Sequence, residues 1–235
     1  MPNRHDLRPA HASEYYQYLP GANSIAARIA TYQRARMFAR FIDCFGAVPS
    51  HTVVDVGVTS NEVYELDNYF EMLYPHKDRI TAVGLEDGVH LERKYPGLRF
   101  IRMAPGPLPF SDRSFDIAHS SAVIEHAGQR ENQVAFLREL WRVSARGIFI
   151  TTPNRWFPVE FHTMVPLVHW LPANTFRRLL RAIGRDFYAL EANLNLMSRT
   201  DLSNAAREAG ITTFRVEDVS LALWPTNLLL IGHKS

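Results

Sequence analysis

The stretch Thr52-Val53-Val54-Asp55-Val56-Gly57-Val58-Thr59-Ser60-Asn61 indicates the fold class of this chain. Its apolar, β-branched run ends in a carboxylate and a glycine, and small residues of more polar character follow before a helical pattern begins. This order is typical of a buried parallel strand that passes into a helix at the ligand-binding edge of an α/β sheet.

A second apolar run, residues 80–85, ends at Glu86 and Asp87. In sheets of this kind an acidic residue at the tip of the next strand binds the hydroxyls of a ribose. The two runs together predict a site for a nucleoside-bearing cofactor. Glu86 is favoured over Asp87 because it follows Gly84-Leu85 directly.

The composition fits one folded domain. The 235 residues are 46% hydrophobic and carry a net charge of +2, which is too small to indicate nucleic-acid binding. A chain of this length can bury roughly 70–75% of its unfolded surface. Cys44 is the single cysteine, so no internal disulfide can form, and neither a signal peptide nor a membrane-spanning run is recognisable. We therefore expect a cytoplasmic protein with no nucleic-acid partner.

Strand and helix patterns alternate from residue 52 onward. Strands are predicted at 52–56, 80–85, 98–103, 114–120 and 147–151, with helices at 61–73, 89–94 and 130–144. This alternation predicts right-handed βαβ units and a mainly parallel sheet. Two final strands, 212–223 and 226–233, are predicted on either side of Trp224-Pro225 and would pair as an antiparallel hairpin.

We expect a single domain over residues 1–235 with four parts. Residues 1–46 form an N-terminal arm and helix, 50–152 the cofactor-binding core, 153–185 an inserted lid or substrate region, and 186–235 a C-terminal helix and hairpin. The lid is expected because prolines interrupt an aromatic-rich segment there, which breaks the strand–helix alternation.

Two motifs resemble those of a known family. The run 108–116, Leu-Pro-Phe-Ser-Asp-Arg-Ser-Phe-Asp, enters the fourth strand, and 121–126, Ser-Ala-Val-Ile-Glu-His, follows it. Together they resemble the class I S-adenosylmethionine-dependent methyltransferases, in the broad group that includes the ubiquinone/menaquinone-type enzymes. The resemblance covers about residues 50–153. It implies an α/β, Rossmann-like three-layer sandwich with a seven-stranded, mainly parallel sheet that ends in an antiparallel hairpin.

The resemblance also implies S-adenosyl-L-methionine as cofactor and S-adenosyl-L-homocysteine as product. Asp55 and Gly57 fall on the first motif at the methionine end, and Glu86 falls on the position that binds the ribose. Ser120 and Ser121 fall at the end of the fourth strand, beneath the methyl donor.

The first motif departs from the family pattern. It usually reads D-x-G-x-G-x-G, and here Thr59 and Asn61 replace its second and third glycines. Thr59 and Ser60 offer hydroxyl groups to the cofactor's carboxylate. Ala104 stands where the family often has an aspartate that contacts the adenine amine, and Met103 beside it is expected to pack on the adenine ring.

Candidates for catalysis and acceptor binding lie after the fourth and fifth strands. Glu160 and His162 are polar residues in an aromatic setting, which is how a general base with a shifted pKa arises. His126 is a third catalytic candidate, and Arg155, Trp156 and His162 are predicted substrate contacts. The alternative for each is a buried hydrogen-bonded network that shapes a loop or lid. No metal site is expected.

The favoured function is methyl transfer to a small or amphiphilic acceptor, with a hydroxyl preferred. One alternative is a non-catalytic binding or regulatory protein, which the altered glycine motif suggests. The other is a peripheral enzyme, weakly associated with the inner membrane face, that methylates a lipid or quinone. The apolar segment 165–171 and the arginines that follow it suggest this reading. The sequence does not indicate an oligomeric state.

Overall fold

The computed structural model describes residues 24–60 and 67–234. Within them the chain forms a seven-stranded sheet in the order β3-β2-β1-β4-β5-β7-β6. β1 to β5 run parallel, and β7 runs antiparallel between β5 and β6. The strands are β1 (Val53–Val56), β2 (Ile80–Gly84), β3 (Arg99–Arg102), β4 (Phe115–Ser121), β5 (Ser144–Pro153), β6 (Phe214–Leu221) and β7 (Trp224–His233). The predicted fold class, including the terminal hairpin, is confirmed.

The helices cover both faces of this sheet. They are α1 (Ile25–Phe45), α2 (Tyr69–Leu73), α3 (His90–Lys94), α4 (Arg130–Val143), α5 (Ala173–Ala182) and α6 (Arg199–Glu208). α1 begins after Ser24, because the Oγ of Ser24 accepts a hydrogen bond from the backbone N–H of Ala27 at 3.1 Å. None of the helices in the described part of the chain is long and apolar enough to cross a bilayer.

Alternation along the strands divides the core into two layers. Val54 and Val56 pack with α4 and α6 on one face of the sheet. Val53 packs on the other face, together with Phe41 of α1 and Phe70 of α2. Asp55 shares the orientation of Val53 and therefore points into the layer between the sheet and the helices α1 and α2. A third apolar cluster joins Phe176 and Leu180 of α5, in the predicted lid region, to Tyr188 and Leu194, which follow that region.

The strand order positions the site. From β1 the chain proceeds outward through β2 to β3 on one side of the sheet, and β4 and β5 follow on the other side. The carboxyl ends of β1 and β4 therefore border the crevice where ligands bind in open α/β sheets.

The predicted separation of the two final strands at Trp224-Pro225 was wrong. Trp224 and Pro225 lie within β7, opposite Leu221 and Ser220, and the turn is formed by Ala222 and Leu223. Pro225 is tolerated in the strand because it lies opposite a register shift of β6 and beyond the last pairing of β7 with β5.

The helix predicted at 61–73 is shorter than expected in its described part, since α2 begins at Tyr69. Residues 61–66, including Asn61 of the first motif, lie outside the described residues, as does the predicted N-terminal arm up to residue 23. Asn68 directly precedes α2, and its side chain bonds the backbone of Thr59 instead of capping the helix.

Candidate active site

The loop after β1 packs tightly against the segment after β4. Gly57 has φ +102°, and a Cβ at this position would lie 2.1 Å from Cγ2 of Val123. The backbone N–H groups of Gly57 and Val58 both donate to the carbonyl of Val83, at 2.8 and 3.0 Å. Only glycine allows this backbone conformation and this approach at the same time.

The loops after β1 and β2 meet at the crevice. The Oγ of Ser60 donates a hydrogen bond to Oε2 of Glu86 at 2.7 Å, although the two residues are 26 positions apart. Asn68 holds the preceding loop by accepting from the N–H of Thr59 at 3.2 Å and donating to its carbonyl at 2.9 Å. The structure thus brings Ser60 and Glu86 together, and adds Asn68, which the sequence analysis missed.

The remaining predicted cofactor residues lie at the carboxyl ends of β3 and β4. Ser120 is buried and its Oγ donates to the carbonyl of Val56 at 2.6 Å, which ties β4 to β1. Ser121 is half-buried and bonds the hydroxyl of Thr151 at 2.7 Å. Met103 donates its backbone N–H to the carbonyl of Gly84 at 2.9 Å, beside the end of β2, and Ala104 is exposed.

Asp55 belongs to a buried ionisable cluster directly beneath the crevice. Its Oδ1 accepts a hydrogen bond from Nδ1 of His119 at 2.7 Å, and the ring of His119 stacks on Phe70 with ring centres 4.1 Å apart. Tyr69 and Glu71 complete the cluster around a cavity of about 20 Å³, enough for one water molecule. His119 is thus a buried, hydrogen-bonded core histidine.

Burial sets the protonation of this cluster. It raises the pKa of Asp55 to about 7 and raises the pKa of Glu71 well above its usual range. It lowers the pKa of His119 to about 3, so the imidazole is neutral and donates to Asp55. Glu71 was not predicted, although a carboxylate among the apolar residues of α2 is the signal that could have indicated it.

Replacing Glu71 by glutamine is expected to flatten the pH dependence of stability. Because the folded state raises the pKa of Glu71, it holds that proton more tightly than the unfolded state, and stability falls as pH rises above about 4.5. Each pH unit in this window removes up to about 1.4 kcal/mol. Urea unfolding at pH 5 and pH 8 measures the difference. Glu131→Gln, at an exposed carboxylate on α4, is the control, and equal losses in all three proteins would contradict the assignment.

The catalytic candidates from two distant segments meet beside the ends of β4 and β5. Nε2 of His126 lies 3.0 Å from Nε2 of His162, which is 36 residues away in sequence. Nδ1 of His162 donates to Oε1 of Glu160 at 2.7 Å, and Nδ1 of His126 donates to the carbonyl of Asn193 at 2.7 Å. Glu160 also accepts from the backbone N–H groups of His162 and Thr163.

The electrostatics of this group separate the roles of its members. Burial opposes ionisation of Glu160, but the charge and hydrogen bonds of His162 outweigh it and lower the pKa of Glu160 to about 2. Burial and the neighbouring His162 lower the pKa of His126 to about 3. Despite burial, Glu160 raises the pKa of His162. Glu160 is thus an anion that orients His162, and of the two imidazoles His162 binds a proton more readily.

Arg155 and Trp156 lie at the start of the lid segment. Arg155 donates to the carbonyl of Leu171 at 3.2 Å, and its guanidinium lies over the ring of Trp156, 5.7 Å from the ring centre. The carbonyl of Trp156 accepts from the indole N–H of Trp224 at 2.8 Å. These contacts attach the lid to the terminal hairpin, and the predicted substrate role of both residues stays a prediction.

The segment that carries most of this site matches a known family. The family model described as a methyltransferase domain matches residues 45–151, which include Gly57, Glu86 and the Glu125-His126 pair. Residues 45–151 form a class I S-adenosylmethionine-dependent methyltransferase domain. This methyltransferase domain confirms the resemblance drawn from the motifs at 108–116 and 121–126, whereas the ubiquinone-type subgroup stays a prediction.

Solved methyltransferases share the fold of most of this chain. An S-adenosylmethionine-dependent methyltransferase from Aquifex aeolicus is similar, with a TM-score of 0.56 at 14% identity, over 83% of this chain and 88% of that chain. A methyltransferase from Haloferax volcanii, in complex with the Trm112 methyltransferase activator, has a TM-score of 0.59 at 16% identity, over 95% and 97%.

A third structure contains ligands. The Burkholderia thailandensis 1,6-didemethyltoxoflavin-N1-methyltransferase was solved with 1,6-didemethyltoxoflavin and S-adenosylhomocysteine, and is similar with a TM-score of 0.57 at 13% identity, over 97% and 92%. At these identities the likeness shows the fold and not the acceptor. A search of curated proteins gave no match to this chain.

Proposed function

We propose that this methyltransferase transfers the methyl group of S-adenosyl-L-methionine to a hydroxyl of a small or amphiphilic acceptor. The observation that carries the proposal is the imidazole pair of His126 and His162 at the carboxyl edge of the sheet, backed by Glu160. A hydroxyl acceptor must lose a proton as it is methylated, and an oriented imidazole is the side chain suited to take it.

The crevice at the ends of β1 and β2 supports the adenosyl site. Ser60 and Glu86 already meet there through a hydroxyl–carboxylate hydrogen bond, which is the kind of bond that a ribose hydroxyl makes with the same carboxylate. Gly57 lets the backbone approach at the methionine end, and Val123 places the segment that leads to His126 directly against it. The short segment 123–126 therefore links the methionine end of the proposed cofactor site to His126.

Replacing Glu86 by alanine is expected to weaken S-adenosylhomocysteine binding by roughly 1–3 kcal/mol, about 5- to 150-fold, because a charged hydrogen-bond acceptor is lost. Isothermal titration calorimetry measures this change. Asp87→Ala is the matched control, since this neighbouring carboxylate is exposed and caps the N–H of Val89. A larger loss for Asp87→Ala than for Glu86→Ala would show that the ribose site is misassigned.

In the proposed reaction the acceptor oxygen attacks the methyl carbon in line with the carbon–sulfur bond. The oxygen–carbon bond forms as the carbon–sulfur bond breaks, the sulfonium becomes a neutral thioether, and the hydroxyl proton passes to the imidazole pair. Positioning of the two reactants supplies up to ~7–11 kcal/mol of the barrier reduction. Glu160 holds His162 in one orientation and one tautomer, as a carboxylate does behind a catalytic histidine.

An amphiphilic acceptor is supported by the surface of the lid and α5. Leu167 and Ile183 are 50% and 53% exposed, and Arg178 and Arg181 lie on the intervening helix. Arg177 pairs with Glu191 at 3.4 Å, which neutralises part of that basic surface. An acceptor with an apolar body and a polar end fits this combination better than a highly charged one.

The direct test is to supply S-adenosyl-L-methionine with panels of phenols, quinols and aliphatic alcohols, and with amines of matched size. Formation of S-adenosylhomocysteine and the mass of the product report methyl transfer. Transfer to hydroxyl compounds is expected. Saturable cofactor binding with transfer to the amines alone would contradict O-methylation.

A further inference from the structure

We propose that Glu125, His126 and His162 form a binding site for a divalent first-row transition-metal ion. One carboxylate oxygen of Glu125 and one ring nitrogen of each histidine lie within 4.8 Å of one another. These residues come from the end of β4 and from the lid, so the site would join the two. No motif in the sequence indicates it, because Glu125-His126 and His162 are too far apart along the chain.

The geometry of the two imidazoles supports a common ligand. Their Nε2 atoms are 3.0 Å apart, and their ring centres are 4.6 Å apart with the planes at 90°. A straight hydrogen bond between the two nitrogens would hold the ring centres about 5.2 Å apart. The shorter distance means that the ring axes converge. For two rings placed symmetrically, the axes meet about 2.1 Å beyond each nitrogen, which is the length of a metal–imidazole bond.

The partners of the other ring nitrogens are those of metal-binding histidines. Nδ1 of His126 donates to the carbonyl of Asn193, and Nδ1 of His162 donates to Glu160, each at 2.7 Å. A backbone carbonyl and a carboxylate are the usual outer partners of metal-ligating histidines, because they fix the tautomer and direct the Nε2 lone pair at the ion.

Glu125 supplies the third ligand. It is fully buried, and its Oε2 accepts a hydrogen bond from Oγ1 of Thr152 at 2.9 Å. Among the described residues, no hydrogen-bond partner reaches its Oε1. A buried oxygen without a partner is costly, and coordination of a cation beside the two imidazoles would satisfy it.

The ligand set indicates the class of ion. Two imidazoles and one carboxylate suit Zn²⁺, Fe²⁺, Co²⁺ or Ni²⁺, whereas Mg²⁺ and Ca²⁺ prefer oxygen ligands. In the symmetric arrangement the two axes would meet at about 90°, which would fit adjacent positions of an octahedral ion. Three protein ligands leave coordination positions for the acceptor. If the proposed function holds, the ion would lower the pKa of the acceptor hydroxyl, and the proton would pass to solvent, since both Nε2 atoms would bind the ion and both Nδ1 atoms already donate.

The first test is metal binding by the full, tag-free chain after treatment with EDTA, without cofactor or acceptor. Calorimetry with Zn²⁺ and with Co²⁺ is expected to show one ion per chain, and Mg²⁺ is expected not to compete. His126→Asn and His162→Asn should weaken binding about 100-fold or more, and Glu160→Gln about 10- to 100-fold. His169→Asn is the matched control. This buried histidine of the same lid bonds the carbonyl of Phe157, and its replacement should leave metal affinity unchanged.

A second measurement needs no variant. Co²⁺ bound to the wild-type chain should give hyperfine-shifted proton resonances from two exchangeable imidazole N–H groups, one for each Nδ1. The proposal is overturned if neither ion binds stoichiometrically, or if both histidine variants retain wild-type affinity. Binding of S-adenosylhomocysteine to the metal-free chain would show that the cofactor site is intact. A failure of the metal site is then distinguished from a failure of the proposed function. Metal binding by a chain that transfers no methyl group would support the metal site and contradict the proposed activity.

Discussion

Replacing His162 by glutamine is expected to lower kcat for methyl transfer about 10²- to 10⁴-fold, which is the usual contribution of a general base. Glutamine cannot take up the proton of the acceptor hydroxyl. The substitution also removes the ring whose Nε2 lies 3.0 Å from Nε2 of His126, and the Nδ1–H that bonds Glu160 at 2.7 Å. S-adenosylhomocysteine affinity should change little, because the proposed adenosyl contacts lie at the ends of β1 and β2. Steady-state kinetics with calorimetry separates the two effects.

The control for this prediction lies in the same segment. His169 is as buried as a core residue and bonds the carbonyl of Phe157 at 2.7 Å, so His169→Gln reports the structural cost of losing a lid imidazole. It should change thermal stability more than it changes kcat. If His162→Gln and His169→Gln lower kcat equally, His162 has a structural role and no part in the reaction.

Replacing Gly57 by alanine is expected to weaken S-adenosylhomocysteine binding about 100-fold or more, about 2.7 kcal/mol. The added Cβ would lie 2.1 Å from Cγ2 of Val123, so the loop after β1 or the segment after β4 must move. The φ of +102° adds about 1–2 kcal/mol of backbone strain for any residue with a side chain. Both effects act where the backbone must approach the methionine end of the cofactor.

Two variants separate strain from displacement. Gly184→Ala has the same kind of backbone cost at φ +73°, but its Cβ meets nothing within 4 Å, and it should lower stability without changing cofactor affinity. The double variant Gly57→Ala/Val123→Ala removes the clashing methyl groups and should recover part of the affinity, as coupled neighbours do. Additive losses in this double-mutant cycle would show that the close contact with Val123 does not set the shape of the site.

Much of the fold is determined by local patterns. The buried strands β1 and β2, the amphipathic helix α4 and the N-cap at Ser24 follow from hydrophobic periodicity and capping, which act over a few residues. The superfamily and its cofactor also follow from short motifs around β1 and β4. The hairpin turn was misplaced because proline is a strong turn signal, whereas a register shift of the partner strand, which the sequence does not reveal, lets Pro225 remain in β7.

The site shows the same division. Glu86 and His162 could be selected singly, Glu86 as an acidic residue after an apolar run and His162 as a polar residue in an aromatic setting. That Ser60 would reach Glu86, or that His162 would meet His126 across 36 residues, depends on how β1, β4 and the lid pack. Glu71 was not predicted because its carboxylate interacts with Asp55 of β1 and His119 of β4, and the sequence around α2 does not reveal these partners.

The sequence by itself determined which elements form and which family they belong to, because both depend on residues that are close along the chain. The tertiary structure alone decided the convergence of Glu125, His126 and His162 and the burial of Asp55 with His119. These arrangements depend on distances between segments that are far apart in sequence. Those distances are set by strand order and by the packing of the lid, and no local pattern encodes them.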